Sequence, residues 1–296
     1  MGLDENVSAI AKQAYEAAQE SLRDGNLAVA EMRLKNAAAL GNADAMVALG
    51  DAAHHRGLAD AAWHWYQAAA EKGNAVALVR MGLVREAAGD EAGKVHWFLR
   101  AVESGSRDAM FNMGNHHRDQ GDFATAKSWY AKAAGLGDDD AMRLIGALEL
   151  ATGTLESALP WFEQASSAGN EEAADALQQL RGALNGDAES LVFVAWAFAD
   201  RGNDREAARW KGAAVRAGVR NIDHRFGLHF EMVEKRDEAM ASYSRSTLAG
   251  NRESLDGIMR LCDTEQFLQW VIGAIERGDR VADEFMTEFR RSNGFD

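Results

Sequence analysis

Glycine recurs along this chain at a fixed step. Gly41, Gly73, Gly105, Gly137 and Gly169 stand 32 residues apart, and Gly25, Gly57, Gly89, Gly121 and Gly153 form a second ladder half a period away. A period of this length marks a stack of short units, each too small to bury its apolar face without its neighbours. Units that touch only their neighbours build an elongated solenoid, which offers partners a long surface and no central pocket. The repeat therefore overrides the prior of about two domains that 296 residues would otherwise suggest.

Overlaying the units shows what repeats. One column reads Ala45-Met46-x-x-Leu49-Gly50, Ala77-Leu78-x-x-Met81-Gly82, Ala109-Met110-x-x-Met113-Gly114 and Ala141-Met142-x-x-Ile145-Gly146. Apolar residues at i, i+3 and i+4 form one face of an α-helix. A glycine inside a helix costs about 1 kcal/mol against alanine, so its recurrence predicts a very close neighbour. The other column carries Trp65-Tyr66, Trp97-Phe98, Trp129-Tyr130 and Trp161-Phe162, followed by Ala69, Ala101, Ala133 and Ala165. Large residues facing small ones let two helices interdigitate. Gly41, Gly73 and Gly137 fall just past one helical pattern, where a left-handed residue ends a helix, and Asn42, Asn74 and Asp138 follow as N-caps of the next. The acids Asp44, Asp108, Asp140, Glu172, Glu189 and Glu253 then fall in first turns, where they oppose the helix dipole.

Together these columns resemble the Sel-one-like repeat, a short-looped relative of the tetratricopeptide repeat. The segment Ala62-Trp63-His64-Trp65-Tyr66-Gln67-Ala68-Ala69-Ala70-Glu71-Lys72-Gly73-Asn74, continuing to Met81-Gly82, is similar to that signature of an aromatic pair, small residues, Gly-Asn and an apolar-Gly helix. The resemblance implies an all-α fold, an α/α solenoid of antiparallel helix pairs. Units of this quality cover about residues 27 to 169. Beyond Gly169 the phase slips: Gly186-Asp187-Ala188-Glu189-Ser190-Leu191 restarts the signature 17 residues on, after which Gly218 and Gly250 restore the full step. One helix has been dropped. The helix around Ala173, Leu177, Leu180 and Leu184 is expected to cap the first array or to bend the stack, the bend being preferred. The organisation expected is a capping helix in 1–26 (Ile10, Ala14, Ala17 and Ala18), a first array in 27–185, a second in 186–263 and capping helices in 264–296 carrying Phe267, Trp270, Val271, Ile275, Phe285 and Phe289. Pro160 falls in the aromatic column, where an interior proline costs about 3 kcal/mol. Its helix should therefore begin near Ser157 or be kinked.

The resemblance implies protein interaction, with a partner on a concave face lined by the first helix of each unit. By position that face comprises Asp51, His54, Arg80, Leu83, Glu86, Phe111, Asn112, Asn115, Arg118, Arg143 and Leu144, then Val192, Phe193, Trp196, His224, Arg225, Leu228 and Glu231. These positions vary from unit to unit while the packing columns stay fixed. That contrast suits an adaptable surface on a constant scaffold, although a merely solvated face would show it too. Trp196 is either an aromatic anchor for a partner or, as its place beside the phase slip favours, packed against the extra helix.

Other readings are weaker. His54-His55 and His116-His117 invite a metal, but adjacent helical residues point about 100° apart and no cysteine accompanies them, so neither metal nor cofactor is expected. His224 and His229 fare no better. Arg205, Arg209, Lys211, Arg216 and Arg220 form a locally basic segment that reads as solvated charge or as a receiver for an acidic peptide. No phosphate loop, nucleophile elbow or distinct carboxylate pair is present, so no enzyme is expected. The formal charge of −14 disfavours nucleic acid and anionic lipid. Cys262, the single cysteine, and a start without a basic or apolar leader point to the cytoplasm. The expected function is a scaffold or adaptor for a protein or peptide. The alternative is a regulatory or immunity-type protein that neutralises one dedicated partner through its acidic surface.

Overall fold

The computed structural model describes residues 3 to 292, which form helices and no strand. In chain order these are α1 (Leu3–Arg23), α2 (Leu27–Ala39), α3 (Ala43–His55), α4 (Ala59–Glu71), α5 (Ala75–Ala87), α6 (Glu91–Glu103), α7 (Arg107–Asp119), α8 (Phe123–Gly135) and α9 (Asp139–Thr152). They continue with α10 (Leu155–Ser167), α11 (Glu171–Leu184), α12 (Ala188–Asp200), α13 (Asp204–Arg216), α14 (Ile222–Met232), α15 (Arg236–Leu248), α16 (Ser254–Leu261), α17 (Thr264–Glu276) and α18 (Arg280–Ser292). This is the all-α helical-repeat solenoid the glycine ladders predict. The chain divides into two compact units between Ile145 and Gly146, within α9.

The 32-residue step sets helix starts to the residue: α4, α6, α8 and α10 begin at Ala59, Glu91, Phe123 and Leu155. Each unit is a hairpin, here called an A helix and a B helix. The pairs α3/α4, α5/α6 and α7/α8 pack along their length in the first unit, and α12/α13 and α14/α15 do so in the second. The caps work as expected, with Asn42, Asn74 and Asp138 accepting from the backbone N–H of Ala45, Ala77 and Ala141 at 2.8, 3.1 and 2.8 Å. In the first unit the core is a succession of clusters shared by neighbouring hairpins, such as Leu34, Met46, Leu49 and Ala77, then Leu78, Phe98, Ala109 and Met113.

The helical glycines have a physical cause. A Cβ at Gly50, Gly82, Gly114 or Gly227 would sit 2.4 to 2.5 Å from the ring of Tyr66, Phe98, Tyr130 or Tyr243, and one at Gly146 would sit 2.8 Å from Phe162. The A helix is notched so that a B-helix ring can lie on its backbone. Where the corresponding B position is Lys211, the A position is Ala195: without a ring, no notch is kept.

Four expectations need correction or refinement. Ile10 is 50% exposed, and α1 buries Ala11 and Ala18, because α1 outruns its hairpin partner α2 by about two turns. Gly153 keeps its place on the ladder but not the positive φ of Gly25, Gly57, Gly89 and Gly121. There α9 runs one residue longer, and extended Thr154 opens α10 through a capping box with Ser157. Pro160 consequently lies in the second turn of a helix that starts two residues before Ser157. The dropped helix is a B helix: α11 and α12 are consecutive A helices that pack directly, with Gly182 against the Ser190 hydroxyl.

Candidate functional site

The positions assigned to the partner face lie on the A helices, and many are tied to one another. In the first unit Arg80 of α5 donates from Nε to Asp51 Oδ1 of α3 at 2.8 Å, and the Tyr66 hydroxyl of α4 donates to the same oxygen at 2.8 Å. Burial and the Asp51 hydrogen bond push the Tyr66 phenol well up. Asp51, His54, Arg80 and Leu83 line one cavity of about 230 Å³ together with His55, Tyr66 and Val84. Glu86 reaches Lys94, whose ammonium is buried; burial alone would lower that group, but Glu91 and Glu86 hold it above its usual value. Asn115 accepts from the Tyr130 hydroxyl at 2.7 Å, and the Phe111 ring lies 5.7 Å from that of Tyr130. Asn112 donates to the Asp108 carbonyl of its own helix, Arg118 to Asp119 and Arg143 to Asp140, while Leu144 is half-buried.

In the second unit the same ties recur between successive A helices. Arg225 of α14 holds Glu189 of α12, and Arg260 of α16 holds Glu231 of α14 at 2.8 and 2.9 Å. Glu231 also accepts from the Tyr243 hydroxyl at 2.6 Å. The Arg260 hydrogen bond, helped by Tyr243, pulls the Glu231 carboxyl below its ordinary value. Burial and Glu231 push the Tyr243 phenol up to about 12. His229 donates from Nε2 to Asp200 Oδ2 at 2.8 Å and stacks on Trp196 at 4.7 Å with the rings 5° apart. His224 meets the Ser254 hydroxyl at 2.9 Å. The pairs Asp51–Arg80, Asp200–His229 and Glu231–Arg260 all span 29 residues. One period less about one helical turn brings these side chains together across neighbouring A helices.

The ring contacts of Trp196, expected against the extra helix α11, lie on α14. Its ring neighbours are Phe226 and His229 of α14. Six residues of α12 separate Trp196 from Ser190, whose hydroxyl faces Gly182 of α11, so the two side chains leave α12 about 120° apart. Val192 is buried, whereas Phe193 and Leu228 are 39% and 45% exposed. The basic segment of α13 is partly neutralised, with Arg209 on Glu206 and Lys211 on Asp223. His54 and His55 are exposed, while His116 lies 3.5 Å from Glu91 and His117 lies 3.7 Å from Asp122.

The tyrosine hydroxyls were not among the residues selected from sequence, yet their signal is there. Fifteen residues before Tyr66 and Tyr130 stand Asp51 and Asn115; fifteen before Phe98 and Phe162 stand Leu83 and Ala147. An acceptor accompanies these two phenols and an apolar residue these two phenyls, whereas Tyr243 has Leu228 at that spacing and finds its acceptor, Glu231, twelve residues before it.

No family model matches the chain, and no curated protein matches it in sequence. Among solved structures, a protective antigen present in uropathogenic Escherichia coli strains, described as displaying an SLR (Sel-one-like repeat) fold, superposes with a TM-score of 0.52 at 19% identity. The match covers 92% of this chain and 70% of that one. The fold is that of the Sel-one-like repeat. A Sel1 repeat protein from Oxalobacter formigenes, 21% identical, covers 79% of this chain and 99% of its own with a TM-score of 0.46. A tetratricopeptide repeat protein from Parabacteroides merdae is 16% identical, covers 85% and 98%, and has a TM-score of 0.44. In this Sel-one-like fold the notched A helices and the ringed B helices are the scaffold, and the exposed A-helix positions are what differs between units.

Proposed function

We propose that the chain is a non-catalytic scaffold that binds a partner protein or peptide along the A-helix face. The observation that carries this reading is the second unit's surface, where Phe193 and Leu228 stand exposed on successive A helices, α12 and α14, beside Met232, which is 74% exposed. Apolar residues surrounded by charged ones on such a face are typical contact anchors. The acids among them do not form a set awaiting a basic target: Asp51, Glu189 and Glu231 are each ion-paired with an arginine of the face, and Asp200 lies 3.6 Å from the Lys235 ammonium. This favours an adaptor over a protein that neutralises a partner through free acidic charge.

The test is to capture partners on the immobilised full chain, purify the protein retained, and measure its affinity for wild type and for Phe193→Asp with Leu228→Asp. Both positions are exposed, so helical circular dichroism should be unchanged while affinity falls at least about tenfold, the scale of a lost anchor. Equal affinity for the two forms would remove this face from the reading.

A further inference from the structure

We propose that the joint between α6 and α7 is acid-labile: protonation of His116 loosens the contact between the α5/α6 and α7/α8 hairpins. The device lies inside the stack and does not rest on the reading above.

Two packing columns change character at this joint. Lys94 of the B helix α6 stands where Ala30, Ala62, Ala126 and Ala158 stand in other B helices, all 0% exposed. His116 of the A helix α7 stands two residues past the notch, where α3, α5 and α9 carry Ala52, Val84 and Leu148. A lysine and a histidine thus replace apolar residues where two hairpins meet. Both side chains are enclosed, at 7% and 11% exposed. Glu91 Oε2 lies 2.7 Å from Lys94 Nζ and 3.5 Å from His116 Nδ1. Gln120 presents its amide nitrogen 3.2 Å from His116 Nε2, a donor that only an unprotonated ring nitrogen accepts.

Burial decides the sign of the response. A proton on His116 adds a second enclosed cation to a joint that already holds the Lys94 ammonium. The charges acting on the ring are Lys94 and His117, which oppose the proton, and Glu91 and Asp119, which favour it. Glu86 of α5 reaches Lys94 at 3.4 Å, and Asp122 reaches His117 at 3.7 Å. Both favouring acids are solvated and committed: Glu91, 63% exposed, is held by Lys94, and Asp119, 65% exposed, by Arg118 at 2.9 Å. Water screens exposed carboxylates, whereas the ring has lost its hydration. Burial, and after it Lys94, therefore hold the imidazole below its ordinary value. Stability is then full above the ordinary histidine value and is lost as pH falls from there through the lowered one. The same column of α14 carries His229, but there the B position is Ala207 and the ring faces Asp200 at 2.8 Å, so that joint lacks the pairing.

The imidazole signals of the full chain would be titrated by nuclear magnetic resonance, with that of His116 assigned by its loss in His116→Val. Its midpoint is expected below 6.5 and is expected to rise in Lys94→Ala. Hydrogen exchange read by mass spectrometry, corrected for its intrinsic pH dependence, should show α6 and α7 opening at least about twofold more at about pH 5.5 than at about pH 7.5, with α3 and α4 unchanged. Lys94→Ala combined with His116→Val restores both columns to residues that other units carry, so it should keep the fold and abolish this excess. A midpoint at or above 6.5, a midpoint indifferent to Lys94→Ala, or the same excess in the double variant would overturn the proposal.

Discussion

The notch at Gly82 offers the most direct quantitative test of how the repeat is held together. An alanine Cβ there would lie 2.4 Å from Phe98 Cε1 and 2.5 Å from Cδ1, where ordinary contact begins at 3.4 Å. The ring must retreat by about 1 Å, yet Phe98 is 1% exposed and packed among Leu78, Ala101 and Met113. Overpacking of this kind costs about 1–3 kcal/mol, and more when the neighbour cannot move. Alanine returns about 1 kcal/mol through its better helix propensity. With the ring confined, the upper end of the packing cost applies, and Gly82→Ala should destabilise by about 2 kcal/mol, lowering Tm by roughly 4 to 8 °C. Gly135, which closes α8 with nothing within 4 Å of its Cβ position, is the control: Gly135→Ala should be neutral or slightly stabilising. In a Phe98→Leu background the penalty of Gly82→Ala should fall by at least half, because the clashing ring is gone. Thermal and urea unfolding followed by far-ultraviolet circular dichroism measures wild type and the four variants. If Gly82→Ala melts at or above wild type while Gly135→Ala behaves as stated, the ring-in-notch account of the glycine column is wrong.

Three further outcomes are expected. Glu234 occupies a ladder position one period after Gly202 with φ 60°, so Glu234→Gly should raise stability by about 0.5–1 kcal/mol by relieving a left-handed residue; a lower Tm would refute this. Pro160→Ala restores a helical donor in the second turn of α10 and should stabilise by about 1–3 kcal/mol, read as a rise in urea midpoint. Because Glu231 titrates below its ordinary value of 4.5 in the folded chain, the stability it contributes is complete above that pH and is lost as pH falls through the lowered value. The Tm gap between wild type and Glu231→Gln should therefore be largest near neutral pH and close as the pH falls through the lowered value, whereas a gap constant with pH would exclude the Arg260 pair as its source.

The sequence by itself determined everything that depends on local spacing. The ladders set the helix starts, Asn42, Asn74 and Asp138 cap as the pattern requires, and the pairing of Gly82 with Phe98 or of Ala195 with Lys211 is written in the columns. Each of these is enforced within one hairpin, where separation along the chain fixes separation in space. Tertiary structure alone decided what lies across hairpins. It assigned Asp51 to Arg80 and Glu231 to Arg260, because a side chain's partner on the next A helix depends on how the two helices are set side by side. It also stacked the Trp196 ring on that of His229. The splayed last hairpin was invisible in the pattern for the same reason: one extended residue, Cys262, redirects α17, and periodicity records which residues are apolar but not the angle at which their helices meet.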